Sequence, residues 1–412
     1  MIAEILSVGT ELLMGQILNS NTQYISSRLP EAGICVYFQS VVGDNPKRLK
    51  SALDIALSRS DLVIMTGGLG PTQDDLTKET VAAAMGRKLV VHPETLKRIE
   101  DHFRKVNKEM VESNKKQAFL PDNSKIIENS NGTAPGCIIE EDGKTIIMLP
   151  GPPKEMIPMF DDTVMPYLKD KSDIQIVSKF IKIFGLGESF VETKVEDLIA
   201  KSSNPTIATY AKDGEVTVRV TAQVSNGEDA SLLLNPIIDE FEKRFGKNIY
   251  STDNLNLEQV VGDLLIRNNI TLSIAESCTG GLLSSLITDV PGISKIFMGS
   301  IVCYSNDSKI NFLNVSRNTI SNFGAVSRES AVEMAIGAKE KFNTDIGVSI
   351  TGIAGPAGAT EDKPVGLVYI ALTDSSSLDI RELNLIGDRQ KIRKLSAMNS
   401  LDMIRLWILK HY

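Results

Sequence analysis

Short apolar runs that end in glycine alternate with helix-like segments through the first part of the chain. IAEILSVG ends at Gly9, ICVYFQSVVG ends at Gly43, and DLVIMTGGLG runs into Gly67. Between the last two lies PKRLKSALDIALSRS, in which leucine recurs every fourth residue, as in an amphipathic helix. A strand–helix–strand–helix order favours a parallel sheet with helices on both faces. We therefore predict an α/β fold with a ligand site at the carboxyl ends of its strands.

The length and the changes in pattern along the chain predict three domains. A chain of 412 residues is about three times the size of a typical domain. We expect an α/β domain over residues 1–170, a small α+β domain over 171–250 and a second α/β domain over 257–412. The middle domain carries no catalytic group in its GLGE loop, so we interpret it as a spacer or dimerisation module, with ligand binding as the alternative.

Composition excludes several classes of protein. The net charge of −8 argues against a broad nucleic-acid-binding or membrane-binding surface, which would need a basic face. The four cysteines are scattered without a CxxC pair, as in a reduced cytosolic protein. No apolar run approaches the roughly 20 residues of a membrane span, and the amino terminus lacks the features of a signal peptide. We expect a cytoplasmic protein.

The segment AESCTGG, residues 275–281, predicts a nucleophile in the third domain. Ser277 and Thr279 follow a strand and precede a helix, where backbone N–H groups favour negative charge. The chain has only three histidines and none is nearby, so Lys309 in YSNDSK is the candidate base. The alternative is that Ser277 or Thr279 only caps the helix. Cys278 is a rival nucleophile, which we interpret as a packing residue.

Further glycine-rich turns accompany this candidate nucleophile. Gly280 and Gly281 allow a ligand to approach the backbone. A second turn, TGIAGPAGA, follows a buried strand and could supply more N–H donors. Its candidate binding residues are Thr351, Gly352 and Gly355.

In the first domain, TGGLGPTQDDLT at residues 66–77 joins glycines at a strand end to two adjacent carboxylates. Such glycines suit phosphate or pyrophosphate, and Asp44, Asp74 and Asp75 are hard oxygen ligands suited to a divalent cation. Asp74 or Asp75 could instead cap the helix that begins with DDLTKE. The remaining candidate binding residues of this domain are Gly9, Glu11, Asn19, Gly67, Gly68, Gly70 and Thr72.

The third domain resembles the nicotinamide-nucleotide amidase domain of the CinA family, the competence/damage-inducible proteins. The resemblance covers residues 257–412 and rests on AESCTGG, YSN…K, GAVS, ITGIAGP, KPVG and GDR, which occur in that order. It implies deamidation of nicotinamide mononucleotide without a cofactor. By the same resemblance, Ser277 would attack the carboxamide, Lys309 would be the base, and Tyr304 and Thr279 would join the hydrogen-bond network. Arg389 is a candidate for the phosphate, because a guanidinium matches its oxygens.

The first domain resembles the three-layer molybdopterin-binding fold in its CinA variant. The GGLGPTxDDLT form carries this resemblance over residues 1–170, together with NGTAPG and LPGPPKEM. It implies hydrolysis of ADP-ribose to AMP and ribose 5-phosphate, with a divalent metal (Mg, Co or Mn) and potassium. A homodimer is expected on the same grounds. Two alternatives remain: a molybdopterin-binding protein, and a non-enzymatic competence partner that binds DNA or protein.

Overall fold

The computed structural model describes residues 1–225 and 227–412. The chain folds into two compact units. The first comprises Met1–Val177 with Ala222–Ala230, and the second comprises Ser178–Thr221 with Ser231–Tyr412.

The first unit is built on strands β1–β8 and helices α1–α7. The strands are β1 Ile2–Val8, β2 Cys35–Val42, β3 Leu62–Thr66, β4 Leu89–Val91, β5 Phe119–Pro121, β6 Lys125–Ile127, β7 Gly136–Glu141 and β8 Lys144–Leu149. The helices are α1 Thr10–Leu13, α2 Ser20–Arg28, α3 Pro46–Arg59, α4 Thr77–Ala84, α5 Pro93–Lys105, α6 Pro153–Met159 and α7 Met165–Lys169. The predicted strands and helices of this domain are therefore present.

Six of these strands form one sheet in the order β2-β1-β3-β8-β7-β6. The first four are parallel, but β7 and β6 run antiparallel to their neighbours, so the prediction of a wholly parallel sheet is wrong on this side. The cause is a tight hairpin between β7 and β8. Its two turn residues, Asp142 and Gly143, both have positive φ (48° and 75°), as an Asp-Gly hairpin turn requires.

Buried aliphatic side chains on both faces of the sheet form the core of this unit. From α3, Leu49 and Leu53 are fully enclosed and Leu57 packs at the edge of the cluster, in line with the predicted leucine spacing. On the opposite face Ile25, Phe160 and Leu168 fill a second cluster. The sheet is thus covered on both sides, which gives the predicted three layers.

The second unit contains most of a four-stranded sheet, of which the first residues of β9 and the last residues of β11 belong to the first unit, and a five-stranded sheet. Its strands are β9 Ile174–Phe184, β10 Thr206–Lys212, β11 Glu215–Ser225, β12 Ile249–Ser251, β13 Leu272–Glu276, β14 Phe297–Val302, β15 Ile346–Gly352, β16 Leu367–Thr373 and β17 Leu378–Asn384. Its helices are α8 Glu188–Lys201, α9 Ser231–Phe245, α10 Leu257–Asn268, α11 Leu282–Thr288, α12 Asn306–Leu313, α13 Arg317–Phe323, α14 Arg328–Phe342 and α15 Arg389–His411.

The smaller sheet has the order β10-β11-β9-β12. With α8 after β9 and α9 after β11, the chain order is β-α-β-β-α-β, which is the ferredoxin-like arrangement. This agrees with the small α+β module expected from the sequence.

The larger sheet has the order β14-β13-β15-β16-β17, and its first three strands are parallel. Strands β16 and β17 are antiparallel, so this sheet is also mixed. Helix α14 is capped by Ser327, as predicted, through a hydrogen bond from the Ser330 N–H to the Ser327 hydroxyl. Strand β17 and the short helices α12 and α13 were not predicted, because their patterns are largely polar and their buried stripes are narrow.

The long helix α15 joins the two sheets of the second unit. Near its end the guanidinium of Arg405, which is 2% exposed, donates to the Lys247 carbonyl at 2.7 Å and to the Asp402 carboxylate at 2.6 Å. Asp402 also accepts from Arg381 at 3.0 Å. Among the described residues, no helix combines the length and the apolar character needed to cross a membrane.

Candidate active sites

Ser277 lies directly after the buried strand β13, at the start of a glycine turn. The turn needs Gly280 and Gly281 because their φ angles are +61° and +93°, a region that residues with a side chain rarely adopt. Helix α11 begins only at Leu282 and its N-cap is Gly281. The prediction that Ser277 and Thr279 stand at the helix N-terminus is therefore wrong by several residues, and neither of them caps the helix.

A buried carboxylate occupies the end of this helix. Glu276 is fully enclosed and accepts hydrogen bonds from the backbone N–H groups of Gly281, Leu283 and Ser284 at 3.0, 3.2 and 2.8 Å. It also accepts from the Ser284 hydroxyl at 2.6 Å. These N–H groups are consequently not available to a ligand, contrary to expectation. The sequence signal for this role was the acidic residue immediately before the serine.

Lys309 meets Ser277 in the interior of the domain. Its Nζ lies 2.9 Å from the Ser277 Oγ and 2.8 Å from the Cys303 carbonyl oxygen. Ser277 is 8% exposed and Lys309 1% exposed. Burial lowers the pKa of Lys309 from its ordinary value, because a charged amine loses its hydration there. A neutral amine could donate to Cys303 and accept the serine proton, which is the arrangement a general base requires.

Two of the backbone N–H groups that follow Ser277 make no hydrogen bond in the described part of the chain. The N–H of Ser277 donates to the Ile350 carbonyl at 3.0 Å, and the N–H of Gly280 donates to the Ser277 carbonyl at 3.1 Å. In the described part of the chain, the N–H groups of Cys278 and Thr279 donate to no acceptor. Free backbone N–H groups beside a nucleophile could stabilise the negative charge that develops on the substrate oxygen.

Cys278 belongs to the hydrophobic core, as the packing interpretation expects. Burial raises the pKa of its thiol to about 11. A reactive cysteine needs a lowered pKa, so this environment disfavours Cys278 as a nucleophile.

Arg389 links two other predicted site residues. It is the first residue of α15 and donates to the Tyr304 hydroxyl at 2.8 Å and to the Gly355 carbonyl at 2.7 Å. Tyr304 is exposed, and among the described residues its hydroxyl is hydrogen-bonded to Arg389 and not to Ser277 or Lys309. Its predicted place in the serine–lysine network is therefore not seen. Thr351 and Gly352 lie within β15, and the Thr351 hydroxyl donates to the Ala325 carbonyl at 2.7 Å.

Two further basic residues hold the loops of this site and were missed from the sequence. Arg393 donates through Nε and Nη2 to the Thr279 carbonyl at 3.2 and 2.6 Å. Lys363 donates to the carbonyls of Phe323 and Val326 at 2.6 and 2.7 Å, which fixes the loop after β15. Sequence signals existed for both: Arg393 follows Arg389 by one helical turn and therefore shares its face, and Lys363 begins the KPVG motif.

In the first unit, a cavity of about 450 Å³ opens at the carboxyl ends of β1, β2, β3 and β8. We call it the carboxylate cavity. The chain passes from β1 to β2 on one side and to β3 on the other, so the cavity lies at the topological switch point, as predicted. Predicted residues on its wall are Gly9, Glu11, Asp44, Gly67, Gly68, Gly70, Thr72, Asp74 and Asp75.

Gly67 brings two strand ends together at this cavity. Its φ is +100°, and a Cβ atom there would lie 2.1 Å from the Val8 carbonyl oxygen. Asn19 is placed differently from the other candidates. It is the N-cap of α2, accepts from the Thr22 N–H at 3.2 Å and donates to the Ser7 hydroxyl at 3.0 Å, so it has a structural role at the edge of the site.

The carboxylates of the cavity are held by threonines. Asp44 accepts from the N–H and hydroxyl of Thr10 at 2.9 and 2.8 Å. Thr72 donates its N–H to Asp75 at 2.9 Å, and its hydroxyl bonds to Asp74 and Asp75. The Thr72 hydrogen bond lowers the pKa of Asp74. Helix α4 starts at Thr77 with Leu76 as its N-cap, so the prediction that Asp74 or Asp75 caps it is wrong.

Two lysines that the sequence analysis did not identify stabilise this loop through hydrogen bonds to backbone carbonyls. Lys116 donates to the carbonyls of Thr72, at 2.9 Å, and Asp75. Lys78 is 1% exposed and donates to the carbonyls of Lys116 and Gln117 at 2.9 and 3.1 Å. Burial lowers the pKa of Lys78 to about 8. A lysine in an amphipathic helix usually faces solvent, so the sequence offered no signal for this burial.

The donor set of the carboxylate cavity fits a hydrated divalent cation. Within residues 1–225 and 227–412, no three Asp, Glu, His or Cys side chains gather closely enough to chelate an ion by themselves. Mg²⁺, however, usually keeps several waters and binds through one or two carboxylates together with substrate phosphates. Asp74 and Asp75 next to glycine turns provide that combination.

The fold and these two sites define a protein with an α/β domain that has a cavity at the carboxyl ends of its strands, a ferredoxin-like module, and a domain with a buried serine–lysine pair. Three family models match consecutive parts of the chain: "Probable molybdopterin binding domain" over residues 4–170, "Damage-inducible protein CinA KH domain" over 178–251 and "CinA C-terminal domain" over 254–408. A CinA-like protein of Dictyoglomus thermophilum is 55% identical over 406 residues, which cover 98% of this chain and 99% of that protein. The chain belongs to the CinA family.

A second relative supports this assignment. A CinA-like protein of Kosmotoga olearia is 51% identical over 403 residues and covers 98% of each chain. Among solved structures, the competence/damage inducible protein CihA from Agrobacterium tumefaciens is 34% identical, with a TM-score of 0.36. It covers 37% of this chain and 96% of its own.

Proposed function

We propose that this protein is a bifunctional hydrolase of pyridine-nucleotide breakdown products. Its C-terminal domain would deamidate nicotinamide mononucleotide, and its N-terminal domain would hydrolyse ADP-ribose. The observation that carries the proposal is the buried Ser277–Lys309 pair with an Oγ–Nζ distance of 2.9 Å. This pair supplies a nucleophile and a base without histidine.

The amidase reaction follows from this pair. The Ser277 hydroxyl gives its proton to neutral Lys309 while Oγ bonds to the carboxamide carbon. The N–H groups of Cys278 and Thr279 stabilise the oxyanion. The carbon–nitrogen bond then breaks, Lys309 returns the proton to the leaving nitrogen, and ammonia departs. Water, deprotonated by Lys309, hydrolyses the acyl ester and regenerates Ser277. Nicotinic acid mononucleotide is released.

The substrate phosphate is assigned to Arg389. A guanidinium binds phosphate through two parallel hydrogen bonds, and Arg389 stands at the helix start beside Tyr304. Arg389 also donates to the Gly355 carbonyl, and this hydrogen bond connects the proposed phosphate-binding residue to the loop after β15. With the phosphate at Arg389, the nicotinamide ring of the substrate would lie next to the buried Ser277.

For the N-terminal domain, Asp44, Asp74 and Asp75 would hold a divalent metal. When bound, this ion would neutralise the pyrophosphate charge and lower the pKa of an attacking water. The chain itself keeps Asp74 ionised through Thr72, and its glycine turns let the pyrophosphate approach the backbone. Attack of water on one phosphorus breaks the bridging P–O bond and yields AMP and ribose 5-phosphate.

A second candidate is molybdopterin binding, which the matched model over residues 4–170 favours. It predicts pterin binding that is lost when Asp44, Asp74 or Asp75 is replaced. A third is a competence partner that binds nucleic acid through the middle module. The GXXG sequence with which KH domains clamp nucleotides does not occur in residues 178–251, and the net charge is −8. Both observations count against the third candidate.

The first test is ammonia release from nicotinamide mononucleotide by the purified full-length protein. Wild-type protein should release ammonia, and Ser277→Ala should not, while it still binds the nucleotide. Ser285→Ala, in the exposed face of α11, is the matched control and should keep full activity. Absence of ammonia from the wild-type protein would refute the amidase proposal, and unchanged turnover by Ser277→Ala would remove this serine from the mechanism.

A further inference from the structure

A cavity of about 240 Å³ lies between helix α5 and the loop that precedes β7, in the first unit. We call it the α5 cavity. The loop, residues 129–135, separates it from the carboxylate cavity, and Thr133 is the one residue that lines both. The α5 cavity is therefore a neighbour of the carboxylate cavity and has a wall of its own.

The helix side of the α5 cavity is basic. It is lined by Arg98, His102 and Lys105, which are spaced four and three residues apart and so lie on one face of α5. The guanidinium of Arg98 donates to the Asn129 carbonyl at 2.9 Å. This hydrogen bond connects the helix to the loop and holds the two walls of the cavity in place.

Two carboxylates near this basic face are already paired with arginines. Asp101 pairs with Arg104 at 2.9 Å, and Glu128, whose side chain is 78% exposed, pairs with Arg98 at 3.0 Å. Among the described residues, Lys105 has no carboxylate partner. An exposed ion pair contributes little, so an anion with several oxygens could replace Glu128 at Arg98.

The loop side of the α5 cavity offers backbone donors. The N–H groups of Ser130, Gly132 and Thr133 donate to no acceptor in the described part of the chain. The loop is held in shape by Asn129, which is 4% exposed and donates to the Ala134 carbonyl at 2.9 Å. Neighbouring free N–H groups in a turn can bind an anion.

We infer that the α5 cavity binds a phosphate group, either as the free ion or as part of a small phosphorylated metabolite. Cationic side chains on one wall and free N–H groups on the other are the donors that phosphate oxygens accept from. Its volume lies below the roughly 300–1,000 Å³ of typical small-molecule sites, so a whole nucleotide would not fit. The inference depends on neither of the proposed hydrolytic reactions.

Hydrogen exchange of the full-length protein, titrated with inorganic phosphate at constant ionic strength, tests this inference. Phosphate should slow exchange in peptides that cover Ser130, Gly132 and Thr133, because their N–H groups would become donors. Lys105→Gln should raise the phosphate concentration needed for half of this effect by about tenfold, the cost of one charge-assisted hydrogen bond. Lys97→Gln, exposed on α5 outside the cavity, is the matched control and should match wild type.

Two results would overturn the phosphate site. One is unchanged exchange of the wild-type loop even at high millimolar phosphate. The other is an equal response in Lys105→Gln, which would place the phosphate elsewhere. The same titration with glycerol 3-phosphate distinguishes the two sources of phosphate. Tighter binding than that of inorganic phosphate would indicate a phosphorylated metabolite, and weaker binding the free ion; both support the site. Because neither hydrolytic reaction is measured, failure of the proposed function would leave this result unaffected.

Discussion

The Nζ of Lys309 lies 2.9 Å from the Oγ of Ser277 although 32 residues separate them. Ser277 follows β13 and Lys309 lies on α12, and the parallel pairing of β13 with β14 brings these segments together. The contact is buried. The protonation state of the Lys309 amine therefore decides whether Ser277 can lose its proton and react.

The amidase reaction should depend on pH through Lys309. Burial lowers its pKa below 10.5, and only the neutral amine can accept the serine proton. The value of kcat/KM should therefore rise with pH, reach a plateau above the lowered pKa, and fall about tenfold per unit below it. A flat profile from pH 6 to 10 would contradict this role.

Lys309→Arg should lose about 10²–10⁴-fold in kcat/KM, because a guanidinium stays protonated. Lys295→Arg, at an exposed position, is the control and should match wild type. Ammonia release measured across the same pH range distinguishes the two variants. Substantial activity in Lys309→Arg would show that the charge alone is needed and that Lys309 is not the base.

Glu276→Gln should loosen the turn that carries Ser277. The carboxylate accepts three backbone N–H groups, and an amide would turn its own N–H₂ toward some of them. A buried hydrogen bond of this kind is worth about 1.5–3 kcal/mol. Hydrogen exchange should accelerate at the amides of Gly281 and Leu283, and ammonia release should fall. Glu340→Gln, exposed on α14, should change neither; protected amides in Glu276→Gln would refute the role.

Arg389→Lys should separate phosphate binding from chemistry. The lysine keeps the charge but loses the fork that would match phosphate, so KM for nicotinamide mononucleotide should rise by roughly tenfold, while kcat changes little. Nicotinamide riboside, which lacks the phosphate, should be processed equally by variant and wild type. The exposed Lys394→Met serves as control. A loss confined to kcat would place Arg389 in the chemical step.

A chelator should distinguish the two sites. Removal of divalent ions should stop AMP formation from ADP-ribose and leave ammonia release unchanged. Asp74→Asn should raise the metal concentration needed for half-maximal rate, whereas Asp54→Asn on α3, which loses only an exposed ion pair, should not. Loss of both activities on chelation would end the two-site proposal.

Local patterns of the sequence were sufficient to predict the parallel strands and the grouping of most site residues. Glycines after β1 and β3 must lie at the same sheet edge, so Gly9, Gly67 and Asp75 could be placed together in advance. The antiparallel strands were missed even though Asp142-Gly143 is a strong hairpin signal.

The supporting residues could not be found in this way. Glu276 and Arg393 bond to the backbone of the AESCTGG turn, and Lys78 bonds to the carbonyls of Lys116 and Gln117. Sequence patterns can single out such residues but do not report their backbone partners. The error over Asp74 and Asp75 has a similar cause. Both carboxylates bond to Thr72 instead of the helix end, and the backbone path of the loop decides between these donors.

Helix α15 holds Arg389 at its first turn and the enclosed Arg405 sixteen positions later, about 24 Å along the same rod at 1.5 Å per residue. Arg405 donates a hydrogen bond to the carbonyl of Lys247 in the ferredoxin-like module, while Arg389 donates to the Tyr304 hydroxyl and the Gly355 carbonyl. A stiff helix transmits displacement along its length. A displacement of the ferredoxin-like module would therefore move Arg389, the residue proposed to bind the substrate phosphate.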